Sequence, residues 1–578
     1  MAYAIQLARF IAGLLVLLVA GQLNAQGLPT VDVNQQRVIR LAGVAEYFAG
    51  DPAMPLADVQ RADFRTLLPT DIARGLTDQV YWLRFSVTNS ADHAVDWVMH
   101  GDSNYLDVMH VYFHDRHSTD LAAFPDGFAS RLLTDLQPYA SRMLDYRKLA
   151  FAHATPADAV TDIYMAVSYQ RADAMRLDFS VYERSHFDDR GRTEYLLFGA
   201  WYGILLLLLL GSMLLAIVMQ QRSAGYYAAF VASTALMWAL LNGLGFQYVW
   251  SDNVYWQNQG FHLSYLLFAF CAFQFSRHFL RLPEILPQLN RGMWMAQLFM
   301  VATAVLRLLG NHDLVLLLSY LSLASTLVLP AVGLLAWQRG MQHARWFCVA
   351  WLIYSMTLTL AVLNAATLFP GWNMDRALAL VQAGTMVEVV LLMLALGERV
   401  LQIEQERREA LDLAHRDPLT GLGNRRLLVN AYQRLTSRFE QTGMPVFLGL
   451  LDLDEFKAIN DRYGHDAGDA ILCRLADLLQ QHSRGEDTCI RYGGDEFVLL
   501  VQAGSVQAVE LIVERIRTRF SERPTVFGGQ MIRHTLSAGV ITALDQDTGL
   551  SPAEMLMKVD LALYEAKSSG RNRTIVHA

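Results

Sequence analysis

Seven apolar stretches, each close to the roughly 20 residues needed to cross a bilayer, follow one another between about residues 193 and 397. Inside lipid every backbone N–H and C=O has to be satisfied within its own segment, so this third of the chain can hardly fold as anything but a bundle of spanning helices. The stretches centre on Leu207, Ser233, Phe268, Met300, Ser325, Met356 and Val389, and the run Leu205 to Leu210 is the least ambiguous. With 53% hydrophobic and 18% charged residues, the 578-residue chain falls outside ordinary soluble composition. The short loops set the orientation. Arg222, then Arg277, Arg281 and Arg291, then Arg339 and Arg345 lie in the first, third and fifth loops, against Arg307 and Arg376 in the others. Because cytoplasmic loops collect Lys and Arg, the segment before the spans is expected outside the cell and the segment after them inside. Glu388 lies within the last span, where an unpartnered carboxylate costs about 2 to 3 kcal/mol or more. Two readings stand: a signal relay between helices, or a protonated or hydrogen-bonded interhelical contact.

Residues 1–25 carry Arg9, an apolar run from Phe10 to Ala20 and a small-residue exit at Ala25, the pattern of a secretory signal. Residues 26–188 then alternate with period two. Tyr81, Leu83, Phe85 and Val87 share one face, and Trp82, Arg84, Ser86 and Thr88 the other, up to the turn at Asn89 and Ser90. That predicts a half-buried strand. Further runs at Leu106 to Phe113, Ile163 to Val167 and Leu177 to Val181 extend the prediction to an antiparallel β-sandwich. Trp97 has two readings, an exposed ring stacking on a sugar or a ring packed in the sandwich, and packing is the commoner fate. After the spans (193–397), residues 398–415 are charged and helix-favouring. Val400, Ile403, Ala410 and Ala414 at three-and-four spacings are compatible with a short dimeric coiled coil or a solvated connecting helix. Cys271, Cys348, Cys473 and Cys489 match no zinc or redox spacing and are read as ordinary thiols. A net charge of −8 argues against a nucleic-acid polymer as partner.

Residues 416–578 alternate β-rich and helical patterns, as a compact α/β domain does. Val446 to Leu453 reads as a buried strand ending in Asp452-Leu453-Asp454-Glu455-Phe456-Lys457. About forty residues on, Arg491-Tyr492-Gly493-Gly494-Asp495-Glu496-Phe497 reads as strand, glycine turn, strand. Gly493 and Gly494 let the backbone approach a ligand, and Asp495 and Glu496 follow at the hairpin tip. Carboxylates on neighbouring strand ends make a hard-oxygen site suited to Mg²⁺ bridging triphosphate oxygens. Ser551-Pro552-Ala553-Glu554 predicts a capped helix start. Lys567 and Arg571, four apart, share a face if that helix survives Gly570.

Several separated motifs here resemble the GGDEF family of diguanylate cyclases: Asp417-Pro418-Leu419-Thr420 with Gly421 to Arg425, the Asp452 segment through Asn460 to Asp469, the Gly493 hairpin, Ser537-Ala538-Gly539, and Asp560 through Lys567 to Arg571-Asn572. The resemblance implies a palm-like fold with a central, mostly antiparallel sheet, and the condensation of two GTP into cyclic di-GMP and pyrophosphate. It implies two Mg²⁺ or Mn²⁺ ions per GTP site, held by Asp452, Glu496 and the Leu453 carbonyl, with Asp495 assisting metal binding or deprotonation of the 3′-hydroxyl. Asn460 and Asp469 would read guanine. Lys457, Lys567 and Arg571, with backbone amides near Glu455 and Phe456, would neutralise the phosphates. Each domain of this family binds one GTP, so a homodimer is implied. Arg484 and Asp487 stand five residues or so before Gly493, where the family places an inhibitory RxxD site for cyclic di-GMP, with Arg515 as a second contact. Asp469 argues against mixed purine products, because relatives making them depart at that position. The alternative is a catalytically inactive receptor that binds cyclic di-GMP and relays it to a partner, although Asp452, Asp495 and Glu496 are all present. No phosphodiesterase-like segment follows Asn572, so synthesis without built-in degradation is expected.

The Tyr81-Trp82-Leu83-Arg84-Phe85 strand, the Asn89 turn and the seven-span count resemble seven-transmembrane receptors with diverse intracellular signalling modules. That likeness implies a bacterial inner-membrane location, a periplasmic carbohydrate-binding-like domain with an unidentified ligand, and a cytoplasmic C-terminal domain.

Overall fold

A computed structural model describes residues 28–51, 54–101, 106–116, 127–365, 374–484, 486–545 and 549–577; the predicted signal segment lies outside them. The chain divides after Val400 into two compact units.

The first unit opens with two packed sheets. A seven-stranded sheet runs Arg65–Thr66, Glu46–Gly50, Val80–Thr88, Val160–Ser168, Val108–Asp115 and Ala129–Thr134, and Thr30–Asp32 adds to Val80–Thr88 in parallel. A four-stranded sheet runs Ala150–Thr155, Val95–Gly101, Phe179–Glu183 and Val38–Arg40. Tyr81, Leu83, Phe85 and Val87 all point into the core between them. The strand is not half-buried as predicted, because its second face is covered too: Trp82 packs with Leu56, Val59 and Tyr164, and Ser86 donates to Asp162 at 2.6 Å. Asn89 fixes the turn by donating to the carbonyls of His93, Thr155 and Pro156 at 2.7, 3.0 and 2.8 Å. Trp97 is fully buried and its indole N–H donates to Thr155, so this ring belongs to the core and offers no face to a sugar.

Seven long helices follow: α1 (Arg184–Val218), α2 (Arg222–Leu241), α3 (Val254–Phe279), α4 (Pro287–Leu308), α5 (Asp313–Gln338, with a 3₁₀ turn at Thr326–Val328), α6 (Ala344–Ala365) and α7 (Met374–Ala414). Each predicted span centre falls in one of them. Five, α1, α2, α5, α6 and α7, are long and apolar enough to cross a membrane. The other two are more polar because they satisfy one another: Arg277 of α3 donates to Asn290 and Gln297 of α4 at 2.7 and 2.6 Å, and Gln297 donates back to the Phe270 carbonyl at 3.1 Å. Glu388 of α7 is fully buried and neither carboxylate oxygen has a hydrogen-bond partner, so of the readings left open for it the hydrogen-bonded interhelical contact is not formed.

The sandwich rests on one set of helix ends. Tyr139 N–H donates to the Ser251 carbonyl at 2.8 Å, Arg147 to Asn242 O at 3.3 Å and Arg176 to Ala365 O at 3.3 Å. Lys148, wholly buried, donates to Asp375 at 2.5 Å, and Arg190 of α1 reaches the same carboxylate at 3.3 Å. These are the ends after α2, before α3, after α6 and before α7, the side whose loops the sequence reading placed outside. Helix α7 runs without a break through the predicted linker to Ala414.

The second unit is a six-stranded sheet. Numbering β1 (Gly423–Asn424), β2 (Val446–Leu453), β3 (Thr488–Arg491), β4 (Glu496–Gln502), β5 (Leu536–Leu544) and β6 (Thr574–His577), its order is β1-β3-β4-β2-β5-β6. The four central strands pair antiparallel, and the outer pairs β1–β3 and β5–β6 are parallel. β2 is buried along its whole length, as its unbroken apolar run requires. Helices cover both faces: α10 (His465–His482) and α11 (Val506–Glu522) build one core, α8 (Leu427–Thr442) and α12 (Pro552–Ser568) the other. The predicted cap of α12 forms, with Ser551 N–H donating to Glu554 at 2.8 Å. Gly539 lets α12 lie directly on β5, since a Cβ there would stand 2.6 Å from both Leu563 N and Val559 O. That close approach brings the end of α12 to the end of β2.

Candidate active site

The carboxyl end of β2 and the start of β4 are neighbours in the ladder, so Asp452 stands opposite Glu496, with Ser537 on its other side. Leu453 N–H donates to the Asp495 carbonyl at 3.2 Å, which pins the hairpin tip to the strand end. Tyr492 and Gly493 amides both donate to the Glu496 carbonyl, at 2.8 and 3.2 Å, and close the turn. The Glu496 carboxylate folds back over Gly493: a Cβ there would lie 2.5 Å from Oε2. Gly494 faces open space.

Asp452 is buried, and the Lys567 ammonium at the end of α12 lies 2.6 Å from its Oδ1. Burial pushes this carboxyl up to about 6; Asp495 and Glu496 add repulsion, and Lys567 offsets only part of it. The cluster is short of positive charge and rich in hard oxygens, which is the donor chemistry a Mg²⁺ or Mn²⁺ ion satisfies. Among the described residues no three His, Cys, Asp or Glu side chains are already gathered as a closed metal cage.

Two residues on the far side of Asp452 complete the framework. Asp454 is also buried, and it accepts from Thr535 Oγ1 and Ser537 Oγ, both at 2.7 Å, and from Asn572 N–H at 3.0 Å. The sequence reading gave Asp454 no role; its place two residues from Asp452 was the available signal. The Asn572 contact also shapes the chain after α12. Helix α12 ends at Ser568, and Gly570, Arg571 and Asn572 take left-handed φ of 115°, 59° and 44°. Lys567 and Arg571 therefore do not share a helical face: Lys567 points at Asp452, and Arg571 is exposed on the turn.

Helix α9 (Phe456–Tyr463) starts behind Glu455, itself left-handed at φ 57°. Phe456 is half-buried and Lys457 exposed. Asn460 has a buried Oδ1 with no hydrogen-bond partner, an orphan acceptor. Asp469, on α10, is exposed. The reading by motif also missed a tie between the unit's first turn and the hairpin. Arg491 pairs with Asp417 at 3.2 Å and donates to the Gly494 carbonyl at 2.8 Å, while Thr420 caps Asp417 through N–H and Oγ1 at 2.9 and 2.7 Å. Burial raises the Asp417 carboxyl, but these hydrogen bonds outweigh it and its pKa is lowered.

The Arg484 and Asp487 turn lies before β3. Asp487 accepts from the Arg484 amide at 2.7 Å, and the Arg484 side chain is exposed; Gly485 lies outside the described residues. Burial raises the Asp487 carboxyl. Arg515 is exposed on α11, close to His482, whose pKa is lowered by burial together with Arg519 and Arg515.

Residues 414–573 match the family model for the diguanylate cyclase GGDEF domain. Residues 194–399 match that for 7TM diverse intracellular signalling, and 47–183 that for the second 7TMR-DISM extracellular domain. The diguanylate cyclase DgcP of Pseudomonas aeruginosa is 38% identical over 30% of this chain and 24% of its own length. The response regulator PleD of Caulobacter vibrioides is 40% identical over 29% of this chain and 37% of its own. The chain thus spans about a quarter to a third of these curated relatives. Among solved structures, the coiled coil and GGDEF domain of DgcB from Caulobacter crescentus, in complex with c-di-GMP, is 27% identical, with a TM-score of 0.29, covering 32% of this chain and 99% of that one. The chain therefore carries a GGDEF domain of the diguanylate cyclase type, behind a 7TMR-DISM membrane region and an extracellular domain of the same receptor class.

Proposed function

We propose that this chain is an inner-membrane diguanylate cyclase that condenses two GTP into cyclic di-GMP and pyrophosphate under control of its extracytoplasmic side. The observation that carries this reading is the buried Asp452 set opposite Glu496, with a proton affinity raised by burial and by neighbouring carboxylates. A strand end kept in this state fits a divalent-ion nucleotide site. Asp452, Glu496, the Leu453 carbonyl and Asp495 would hold Mg²⁺ or Mn²⁺, two per GTP. The bound metal supplies Lewis-acid charge to the triphosphate oxygens.

The chain's own residues do the rest. Asn460, whose orphan oxygen lacks a partner, and Asp469 hold the guanine; Lys457 and Arg571 hold the terminal phosphates, with Phe456 at the start of α9. Lys567 keeps Asp452 oriented. Asp495 takes the 3′-hydroxyl proton as the 3′-oxygen bonds to the α-phosphorus of the facing nucleotide and the bond to pyrophosphate breaks. The step occurs twice, once in each direction, so a homodimer brings two such faces together. Seven crossings, α1 to α7, put the sandwich in the periplasm and the cyclase in the cytoplasm; the contacts of the sandwich with alternate helix ends support that alternation. Helix α7, about 60 Å long for its 41 residues, begins at the Lys148–Asp375 pair and carries movement of the sandwich toward the cyclase. Arg484, Asp487 and Arg515 form a product-inhibition site, the exposed Arg484 guanidinium gripping guanine or phosphate. Incubating the detergent-purified full chain with GTP and Mg²⁺ and weighing the product tests the reading. Cyclic di-GMP is expected from the wild type and none from Glu496→Ala; equal product from both, or none from either, contradicts it.

A further inference from the structure

Where the sandwich rests on the helix ends, a cavity of about 260 Å³ is walled by Asp107, Asp135 and Asp173 of the sandwich and by His262, Arg307 and His312 of the helical layer. Its acidic end is incomplete. Asp135 is 1% exposed, yet its Oδ1 has no hydrogen-bond partner. Burial and the neighbouring Asp107 push its carboxyl up to about 8, and the nearby Arg142 guanidinium offsets only part of this. Asp107 is itself engaged by the Gln170 amide at 2.7 Å. The basic end is incomplete as well. Arg307 donates to the Asn258 carbonyl at 3.0 Å and to His312 Nδ1, but its Nε and the Nε2 of His312 are buried without partners.

With Gln259 Oε1, four orphaned polar atoms line this one enclosure, each an unmet hydrogen-bonding demand that a polar guest would relieve. An apolar guest relieves none. A simple anion meets three aspartates, and a simple cation meets Arg307 and Arg171. A neutral sugar brings no charge to either end. A molecule carrying an ammonium and a carboxylate satisfies both ends at once, and the volume suits a small one.

We propose that this cavity is a binding site for a small zwitterion of the α-amino acid class, its ammonium held by Asp135 and Asp107 and its carboxylate by Arg307 and His312. The walls come from both the sandwich and helices α3 and α4 with the loop that follows α4, so the ligand binds best to one docking of the two and shifts the population toward it. Binding itself does not depend on the cyclase reading; only its consequence for output does.

The test uses the purified full chain in lipid nanodiscs. Each of the common L-amino acids is presented alone by equilibrium dialysis, beside glucose and galactose, and the tightest binder is then presented as its N-acetyl and its carboxamide derivatives. The expected result is that at least one amino acid binds and that blocking either end weakens it at least tenfold, about what one lost charged contact removes. Asp135→Asn and Arg307→Gln should each weaken it similarly while cyclic di-GMP synthesis from GTP persists. If either variant fails to fold, the blocked ligands on the unmodified chain decide. No binding by any amino acid up to about 10 mM, indifference to both blocking groups, or preference for the sugars overturns the proposal. Because dialysis reads occupancy, a chain that binds an amino acid but makes no cyclic di-GMP refutes the cyclase and leaves this site standing.

Discussion

Two carboxylates withdrawn from water, one in each unit, are treated in opposite ways. Asp375, at the head of α7, has Lys148 at 2.5 Å, Arg190 at 3.3 Å and Arg147 at 3.8 Å, three cations for one acid. Asp452, at the end of β2, has Lys567 at 2.6 Å and two further carboxylates whose charge works against it. The first arrangement is a joint: burial is compensated, and the geometry of sandwich and helix is fixed by it. The second is a deficit that a bound cation would remove, as the proposed metal site requires. Charge compensation, more than burial, separates the two roles.

The largest test of that contrast is removal of divalent ions. Excess EDTA should lower cyclic di-GMP synthesis by more than about 1,000-fold, while the unfolding temperature of the first unit in detergent stays where it was. A parallel fall in both would erase the distinction. Next in size is Lys148→Met, which strips a buried carboxylate of its nearest partner. It should cost about 3 kcal/mol, read as a lowered unfolding temperature of the full chain, and Asp375→Asn in the same background should recover much of it.

Asp452→Asn should do the reverse in the second unit. Burial pushes the folded carboxyl up to about 6 from an ordinary value of 3.8. A proton is thus held more tightly in the fold than in the unfolded chain, so this group's stabilising contribution is complete below about pH 4 and is lost as pH rises through about 6. The asparagine variant should therefore gain about 3 kcal/mol over wild type at pH 8 and nothing at pH 4. Amide exchange of β2 in the metal-free full chain reads this, and slower exchange at pH 8 in an inactive variant is the expected sign. Smallest is Asp417→Ala, which frees Arg491 and loosens the Gly494 hairpin. Turnover should fall about fivefold, or about 1 kcal/mol, with GTP binding little changed.

Much of this was legible in the sequence where a residue's neighbours in the chain decide its state. The apolar runs fall on long helices among the described residues, five of them long and apolar enough to cross a membrane, the alternation from Tyr81 to Val87 found its strand, and Ser551 to Glu554 announced its cap. Contacts between distant segments were not legible. Trp82 and Ser86 read as exposed because nothing in the sequence says that Leu56, Val59 and Tyr164 cover them. The polarity of α3 and α4 reflects pairing across a helix contact that no single helix shows. In the candidate site, the Asp452 and Glu496 positions followed from motif and strand ends. The Asp454–Asn572 and Asp417–Arg491 ties did not, since they join residues 118 and 74 positions apart. The turn after Ser568 separated Lys567 from Arg571 because backbone geometry at Gly570 overrode helical spacing.

The end of β2 is proposed to be a cation site. Electron paramagnetic resonance of Mn²⁺ titrated into the full chain, with a non-hydrolysable GTP analogue present, measures it directly. Ions should bind the wild type to saturation, and Asp452→Asn should abolish at least one bound ion per chain. Unchanged Mn²⁺ stoichiometry and affinity in Asp452→Asn would contradict the account.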